Sequence, residues 1–460
     1  MPHACMSVST KRPFLSATLP FLNAGLFVRG NYRLVNATVP ACLISRRDGG
    51  DPESDALMQA ALTISDGKIR QLCLADKAGK VTDNGLPMID LDGGMVWPTC
   101  ADLHTHLDKG QIWFRAPNPS GNWQDALAIV GQDREANWTT QDVAARMDFS
   151  LRCAFAHGSG AVRTHIDSMA PQCDISWPVF ARMRDHWGGR MALQGVSLAM
   201  LDYYAGEHGN RLADLVADHG GILGAVVIND PDPGPALARL FTLARDRNLD
   251  LDFHADETDN PNSNGLEAIA DATIRFGWQG RVTVGHCCSL AYRPEREVEH
   301  TIARVAAAGI TVVSLPMCNM YLQDRKLPGR TPRWRGVTLM KELAAAGVPV
   351  AVGSDNTRDP FYAYGDLDPV EVFAQAVRIA HLDSPLGGWV RAVTATPTSV
   401  MGTDVGGTLE QGRSADLILF QARSWWELLS RPGGQRVVIR RGRPLTDRPP
   451  DYRELDSLRQ

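Results

Sequence analysis

The middle of the chain alternates between two kinds of segment, and this alternation constrains the fold more than any other feature. Eight short runs rich in apolar and β-branched residues are separated by amphipathic segments such as TTQDVAARMDFSLRCAFAHG, whose apolar spacing is that of helices. The runs are CADLHTH, AVRTHID, LQGVSLA, ILGAVVIN, LDLDFHAD, RVTVGHC, TVVSLPM and VPVAVGSD. Eight strands alternating with helices over about 300 residues predict an α/β protein built on a (β/α)8 TIM-like barrel.

A doubly wound open sheet is the alternative for a chain that alternates in this way. Such a sheet usually carries a glycine-rich phosphate loop, GxGxxG or a P-loop, at its first strand-to-helix turn. Neither motif occurs at any of the predicted turns. The pattern therefore favours the barrel.

The two ends of the chain have a different residue pattern from the middle, one typical of short β-strands joined by turns. Short apolar stretches cut by Gly, Asn and Asp run from about Leu26 to Met95, with Asp66-Gly67 as a hairpin signal, and similar stretches return in ADLILFQ and RVVIRRGRPL. This pattern predicts one small β domain that is assembled from the two ends of the chain. The predicted divisions are an N-terminal extension (1–25), a composite β domain (26–97 and 400–445), the barrel (98–399) and a C-terminal tail (446–460).

Charge, cysteine usage and hydropathy exclude several classes of protein. The 460 residues include 47 basic and 52 acidic side chains, and a net charge of -5 is too balanced for a nucleic-acid or anionic-membrane surface. The nine cysteines form no CxxC motif, which favours a reduced, cytoplasmic setting. No apolar run approaches the roughly 20 residues needed to span a bilayer.

Polar side chains stand at the ends of several predicted strands. His104 and His106 end the first strand, His254 ends the fifth and Asp355 ends the eighth. Alternate residues of a strand point the same way, and the carboxyl ends of barrel strands meet at one mouth. Each residue alone is a weak signal, but together they offer three imidazoles and one carboxylate to a divalent ion such as Zn²⁺ or Fe²⁺.

The same strings resemble a known family. PTCADLHTHLDKG, RTHID, HADE, GH, GSD and the terminal GTLEQGRSADLILF resemble, in order and spacing, the amidohydrolase superfamily, and most closely its cytosine-deaminase-like branch. The resemblance extends from about Leu26 to Leu445. It implies a (β/α)8 barrel accompanied by a small β-sandwich that is built from both chain ends.

The resemblance also implies a role for each matching residue. His104, His106, His254 and Asp355 would bind the metal, and Asp355 would also accept a proton from water. Glu257 in HADE would carry protons between water and substrate. His286 in GHCCS would polarise the attacking water and stabilise the tetrahedral centre.

Lysine usage sets the expected number of metals. Binuclear amidohydrolases usually bridge two metals with a carboxylated lysine on strand four, whereas this chain has no lysine between Lys109 and Lys326. One divalent ion per chain is therefore expected. Three nitrogens and one oxygen suit Fe²⁺ or Zn²⁺, and also Mn²⁺.

The resemblance implies hydrolytic deamination of a cytosine-like nitrogen heterocycle with release of ammonia. Two departures concern substrate recognition. Met200 stands where cytosine deaminases use a glutamine, and Asn356 rather than a second aspartate follows Asp355. A larger ring, such as a pterin or an aminotriazine, is therefore an alternative, as is hydrolysis of a ring amide or N-alkylamine. A catalytically silent scaffold remains a further hypothesis.

The remaining candidates line the expected mouth. Lys109 and Trp113 lie in the loop after the first strand, Asn319 follows the seventh strand and Phe361 follows the eighth. With Met200 and Asn356 they are the expected substrate-binding residues, although Trp113 and its neighbour Phe114 would equally well pack the loop. The expected partner is a small heterocycle, with no nucleic acid, no membrane and a possible homo-oligomer.

Overall fold

Strands and helices alternate along the chain in a computed structural model that describes residues 30–74, 85–325 and 329–459. The predicted extension (1–25) lies outside these ranges. The strands are β1 (Tyr32–Pro40), β2 (Leu57–Ser65), β3 (Lys68–Leu74), β4 (Met88–Asp90), β5 (Val96–Pro98), β6 (Cys100–Thr105), β7 (Ser159–Asp167), β8 (Ala192–Leu198), β9 (Leu223–Val227), β10 (Leu251–Ala255), β11 (Val282–His286), β12 (Thr311–Ser314), β13 (Val350–Val352), β14 (Leu417–Phe420), β15 (Arg436–Arg440) and β16 (Arg443–Pro444).

Helices follow most of the strands in the middle of the chain. The α-helices are α1 (Trp123–Asn137), α2 (Thr140–His157), α3 (Cys173–Trp187), α4 (Glu207–Asp218), α5 (Gly234–Arg247), α6 (Gly265–Phe276), α7 (Glu295–Ala307), α8 (Pro316–Leu322), α9 (Met340–Ala345), α10 (Pro369–Ala380), α11 (Ala395–Val400) and α12 (Trp425–Ser430). Shorter 3-10 helices are Ala41–Leu43, Arg46–Asp48, Leu201–Ala205, Cys288–Tyr292, Trp389–Val393 and Tyr452–Arg459. The predicted α/β class is confirmed.

The eight strands β6 to β13 coincide with the eight runs read from the sequence, and every ladder among them is parallel. Their hydrogen bonds form two sheets, one of β6-β7-β8 and one of β9 to β13. Isolated bridges connect the edges: Val196 pairs with Ile222, Met200 with Val226, and Thr105 with Asp355. The ladders thus leave two sheets joined by single bridges between β8 and β9 and between β6 and the residues after β13, a strand of only three residues.

The chain ends contribute two further sheets. One has the order β3-β2-β1-β4, and its β2–β3 turn is Asp66-Gly67, both with positive φ (53° and 72°), as a tight hairpin requires. The other has the order β16-β15-β14-β5, so a strand from before the barrel strands pairs with strands that follow them. Apolar side chains of both sheets, from Leu34 to Ile439, share one core.

A 3-10 segment, Tyr452–Arg459, lies against α2 within the predicted tail. Leu455 is buried with Phe149 and Cys153 of α2, and Phe114 packs on the same cluster. Arg115 donates to the carbonyl oxygen of Leu458. The segment therefore contacts the loop that follows β6. Across the described ranges, no helix combines the length and apolar character that a bilayer crossing requires.

Candidate active site and metal centre

Four buried donors meet at the carboxyl ends of β6, β10 and β13. The Nε2 atom of His254 lies 3.1 Å from Nε2 of His104 and 3.3 Å from Nε2 of His106. Oδ1 of Asp355 lies 3.2 Å from Nε2 of His106 and 3.7 Å from Nε2 of His104. His104 and His106 point to the same side because side chains alternate along an extended chain, and the parallel direction of the strands brings the ends of β10 and β13 to the same place.

This donor set fits one divalent ion. Ligands about 2.0–2.1 Å from a tetrahedral metal lie about 3.3 Å from one another, close to the separations of the four donors. Neither carboxylate oxygen of Asp355 has a hydrogen-bond partner among the described residues. Burial holds the pKa of His104, His106 and His254 well below the usual value, so the imidazoles are neutral and their nitrogens can bind a cation.

Glu257 stands beside this group with both carboxylate oxygens hydrogen-bonded. Its Oε2 accepts from Nε1 of Trp123 at 2.9 Å, and its Oε1 accepts from Nδ2 of Asn319 at 3.0 Å. Burial raises the pKa of Glu257 to about 8, and the nearby charge of Asp355 adds to the effect. A carboxyl group with a pKa near neutrality can both accept and return a proton.

His286 completes the polar side of the site. Its Nδ1 lies 3.0 Å from Nδ2 of Asn319 and 3.5 Å from Oε1 of Glu257, while its Nε2 has no partner among the described residues. Burial lowers the pKa of His286 to about 3, so the ring is neutral. Asn319 therefore bonds two candidate catalytic side chains at once.

The backbone after the strands aims these side chains. His286 and Asp355 have positive φ values of 70° and 61°, which are uncommon for residues with a side chain. Asp256, at φ 54°, accepts hydrogen bonds from the backbone N–H groups of Gly265 and Leu266 at the start of α6. The carboxylate ties the strand end to the helix and thereby fixes the neighbouring Glu257.

A cavity of about 260 Å³ opens beside the four donors. Of the predicted substrate-binding residues, four line it: Lys109, Met200, Asn356 and Phe361. Apolar side chains from the ends of β8 and β9 form one wall, and Met200 is 37% exposed. Asn356 donates from Nδ2 to Oδ2 of Asp359 at 2.7 Å.

Two predicted substrate-binding residues lie outside the described lining. Asn319 acts on Glu257 and His286 instead. Trp113 is held by a backbone hydrogen bond to Arg358, and its neighbour Phe114 packs against the cluster around Leu455. The geometry favours Trp123, ten residues later, for the aromatic contact that the sequence predicts for Trp113.

One face of α1 forms the remaining wall, and this wall was not predicted. Trp123, Leu127, Val130 and Arg134 line the cavity and recur every three to four residues, which is the period of a helix face. Asn122 caps the helix by accepting from the backbone N–H of Asp125 at 2.8 Å. Helical spacing after a capping asparagine is the signal that would have identified this face.

Charged side chains meet at one end of the cavity. Nζ of Lys109 lies 2.8 Å from Oδ1 of Asp167, whose Oδ2 accepts from Nη1 of Arg134 at 3.1 Å. Burial alone would lower the pKa of Lys109, but Asp167 and neighbouring carboxylates outweigh it and hold this pKa above the usual value. The cavity thus presents a buried ammonium group to a ligand.

Neutral imidazoles and a carboxylate at parallel strand ends, with an adjacent proton-accepting carboxyl, define a metal-dependent hydrolase site. Comparison with known proteins agrees: residues 192–442 match the amidohydrolase family. The chain is 52% identical over 437 residues to a pterin deaminase of Rhizobium rhizogenes. The aligned region covers 95% of this chain and 97% of that protein. The chain belongs to the amidohydrolase family, in its deaminase branch, and is a hydrolase of carbon–nitrogen bonds in cyclic amidines.

More distant relatives share the architecture. The chain is 22% identical over 375 residues to N-isopropylammelide isopropyl amidohydrolase of Pseudomonas sp., covering 77% of this chain and 87% of that one. A crystal structure of 5-methylcytosine deaminase from Klebsiella pneumoniae superposes with a TM-score of 0.77 at 24% identity, covering 90% of this chain and 98% of that one. This structural likeness concerns the fold alone.

Proposed function

We propose that the protein is a metal-dependent deaminase of the pterin ring. The observation that carries the proposal is the 52% identity to a pterin deaminase over nearly the whole of both chains. Met200 supports it, because a thioether cannot grip a pyrimidine amide edge as a glutamine does. Of the substrates inferred from the sequence, the larger ring is better supported than a cytosine-like one.

In the proposed reaction, water replaces the exocyclic amino group on C2 of pterin. The C–N bond breaks, a C=O bond forms, and the products are 2,4-dihydroxypteridine and ammonia. His104, His106, His254 and Asp355 would hold one divalent ion, Fe²⁺ or Zn²⁺. When bound, such an ion is a Lewis acid that makes water nucleophilic at neutral pH.

Glu257 moves the protons in this proposal. Its carboxylate takes a proton from the attacking water and delivers it to the ring nitrogen beside C2, and a second transfer lets the amine leave as ammonia. His286 donates a hydrogen bond to the tetrahedral centre from Nε2, because Asn319 occupies its Nδ1 side. Asp355, whose pKa burial raises to about 7, takes the second water proton from the hydroxyl of the tetrahedral centre, and this is the proton that leaves with the amine as ammonia, so both protons of water are accounted for.

The cavity wall would hold the flat ring. Trp123 and Phe361, with ring centroids 6.4 Å apart, bound the space beside Glu257. Lys109 donates hydrogen bonds to ring acceptors, while the apolar residues near Met200 cover one face of the bicycle. The hydrogen bond from Asn356 to Asp359 would hold the Asn356 side chain in the lining of the cavity.

The architecture that accompanies this function is also a proposal. The edges of the two parallel sheets, joined by the bridges at Val196, Met200 and Thr105, would close into a (β/α)8 barrel over 98–399. The two end sheets, with their shared core, would form a β-sandwich from 26–97 and 400–445.

An ammonia assay on metal-reconstituted protein tests the function. We expect ammonia from pterin, and at least tenfold lower kcat/KM for cytosine, isocytosine, creatinine and aminotriazines. Hydrolysis of an N-alkylamine is the second candidate, supported by the relative that acts on N-isopropylammelide. Release of isopropylamine from that compound without ammonia from pterin would establish the second candidate. Inactivity towards every compound, with no metal bound, would indicate a silent scaffold.

A further inference from the structure

A second polar cluster lies beneath the four donors, inside the sheets. His165 on β7 and Asp252 on β10 are both fully buried, and Asp252 precedes His254 by two residues on the same strand. The ring of His165 packs on the ring of His104 with centroids 4.0 Å apart. One polar atom each from His104, His165 and Asp252 lies within 4.8 Å of the other two.

Four polar atoms of this cluster have no hydrogen-bond partner among the described residues. They are Nδ1 of His104, both ring nitrogens of His165 and Oδ1 of Asp252. Nε2 of His165 lies 3.9 Å from Oδ1 of Asp252. Buried polar atoms are rarely left unpaired, so atoms gathered in one place point to hydrogen bonds among themselves, directly or through one water.

The surroundings hold this cluster rigidly. Nη1 of Arg163 donates to Oδ2 of Asp252 at 2.8 Å, and the rest of its guanidinium group donates to Gln194. Gly285 lies beside the ring of His104, where an added Cβ would stand 2.8 Å from Cε1. His104 is therefore confined on one side by backbone and on the other by His165.

We infer that His165 and Asp252 are positioning residues for His104. Histidine ligands of metals donate their second ring N–H to a carboxylate or another acceptor, which fixes the tautomer and the orientation of the ring. Asp252 and His165 each place a polar atom within 4.8 Å of a ring nitrogen of His104. In the inferred arrangement one of them accepts from the Nδ1–H of His104, directly or through one water, so Nε2 is left unprotonated for the metal. The inference rests on the proposed role of His104 as a ligand.

Replacing His165 with leucine tests the inference through metal affinity. We expect H165L to bind Zn²⁺ and Co²⁺ about 10- to 100-fold more weakly than the wild type, and the absorption spectrum of its Co²⁺ form to shift. The metal-free variant should unfold at no lower temperature, because leucine removes a buried polar ring whose contact with Oδ1 of Asp252 is as long as 3.9 Å. H165Q, which keeps a polar atom, should recover part of the affinity.

Matched control variants test whether the effect depends on the location of the replaced histidine or aspartate. H219L changes a half-buried histidine that caps the C-terminus of α4 and packs against Trp177, and it should leave metal affinity within twofold of the wild type. D252N should weaken metal binding, whereas D250N on the same segment, where Asp250 pairs with Arg281 near the surface, should not. Unchanged affinity in H165L and D252N would overturn the inference.

The same measurements distinguish an error in the positioning role of His165 and Asp252 from an error in the proposed set of metal ligands. If the wild type binds neither Zn²⁺ nor Co²⁺, or if H104A binds them as well as the wild type does, the proposed ligand set is wrong and the inference fails with it. If the wild type binds and H104A does not, equal binding by H165L refutes the positioning role alone.

Discussion

Glu257 differs from the four ligand candidates because both of its oxygens already accept hydrogen bonds, from Trp123 and Asn319. These bonds hold the carboxylate beside the cavity, and the carboxylate is not one of the proposed metal ligands. Its raised pKa follows from burial first and from Asp355 second. The residue is therefore built to exchange protons while the ligands stay fixed.

Replacing Glu257 with glutamine should abolish turnover and preserve metal binding. The amide keeps the size of the side chain but cannot carry a proton, so kcat should fall about 100-fold or more. Metal analysis and ammonia release measure the two effects. E267Q, which alters a glutamate of α6 that is bonded to Thr301, should change neither. Activity above a tenth of the wild-type value in E257Q would rule out the proton-transfer role.

Replacing Trp123 with phenylalanine should move the pH profile. The indole N–H stabilises the ionised form of Glu257, so its loss raises the pKa of Glu257. Because the ionised carboxylate accepts the proton, the acidic limb of kcat/KM should shift to higher pH by about one unit, with little change on the plateau. The control is W113F, which replaces a tryptophan that does not belong to the described lining of the cavity. Coincident profiles for the two variants would contradict the assignment.

Individual site residues differ in how far the sequence reveals them. That His104, His106, His254 and Asp355 lie together could be predicted, because strand direction places the carboxyl ends of barrel strands at one mouth. Trp123 and Arg134 could not, because their place depends on how a helix after a long loop packs over the mouth. Lys109 was identified, but its pairing with Asp167 joins residues 58 positions apart.

At the scale of elements, α1 links helix stability to the site. Its first residue, Trp123, bonds Glu257, and Asn122 caps that end. N122A should cost about 1 kcal/mol of unfolding free energy and also lower kcat/KM. T139A removes the equivalent cap of α2, where Thr139 accepts from Asp142 at 3.2 Å, and should cost similar stability with unchanged kcat/KM. Equal kinetics in the two variants would show that capping of α1 does not reach Glu257.

The strands were predictable, as was the parallel pairing of neighbours that a barrel implies, but the register and the extent of each ladder were not. Apolar runs bounded by turns identify β6 to β13, since most of these strands are buried on both faces. Which edges meet depends on contacts between distant segments, and in β13 only three residues carry the ladder. The pairing of β5 with β14 likewise joins Trp97 to Ile418, a partnership that local sequence does not encode.

At the scale of the whole molecule, metal binding should stabilise the fold. The four donors come from β6, from β10 and from the residue three positions after β13, so one ion would tie distant parts of the chain together. Adding Zn²⁺ to metal-depleted protein should raise the unfolding free energy by about 2.7 kcal/mol at 100 times Kd, seen as a higher Tm. H106N should lose most of this gain, and metal analysis of the wild type should give about one ion per chain. Two tightly bound ions per chain would contradict the inference from the missing lysine.

The cavity wall formed by α1 bears on how such an enzyme can diverge. Leu127, Val130 and Arg134 shape the space for the substrate, yet they belong to a helix that carries none of the proposed ligands. Point changes on this one face can therefore alter which ring is accepted while the reaction is inherited intact. Descendants of such an enzyme could acquire new substrates before any change in their chemistry.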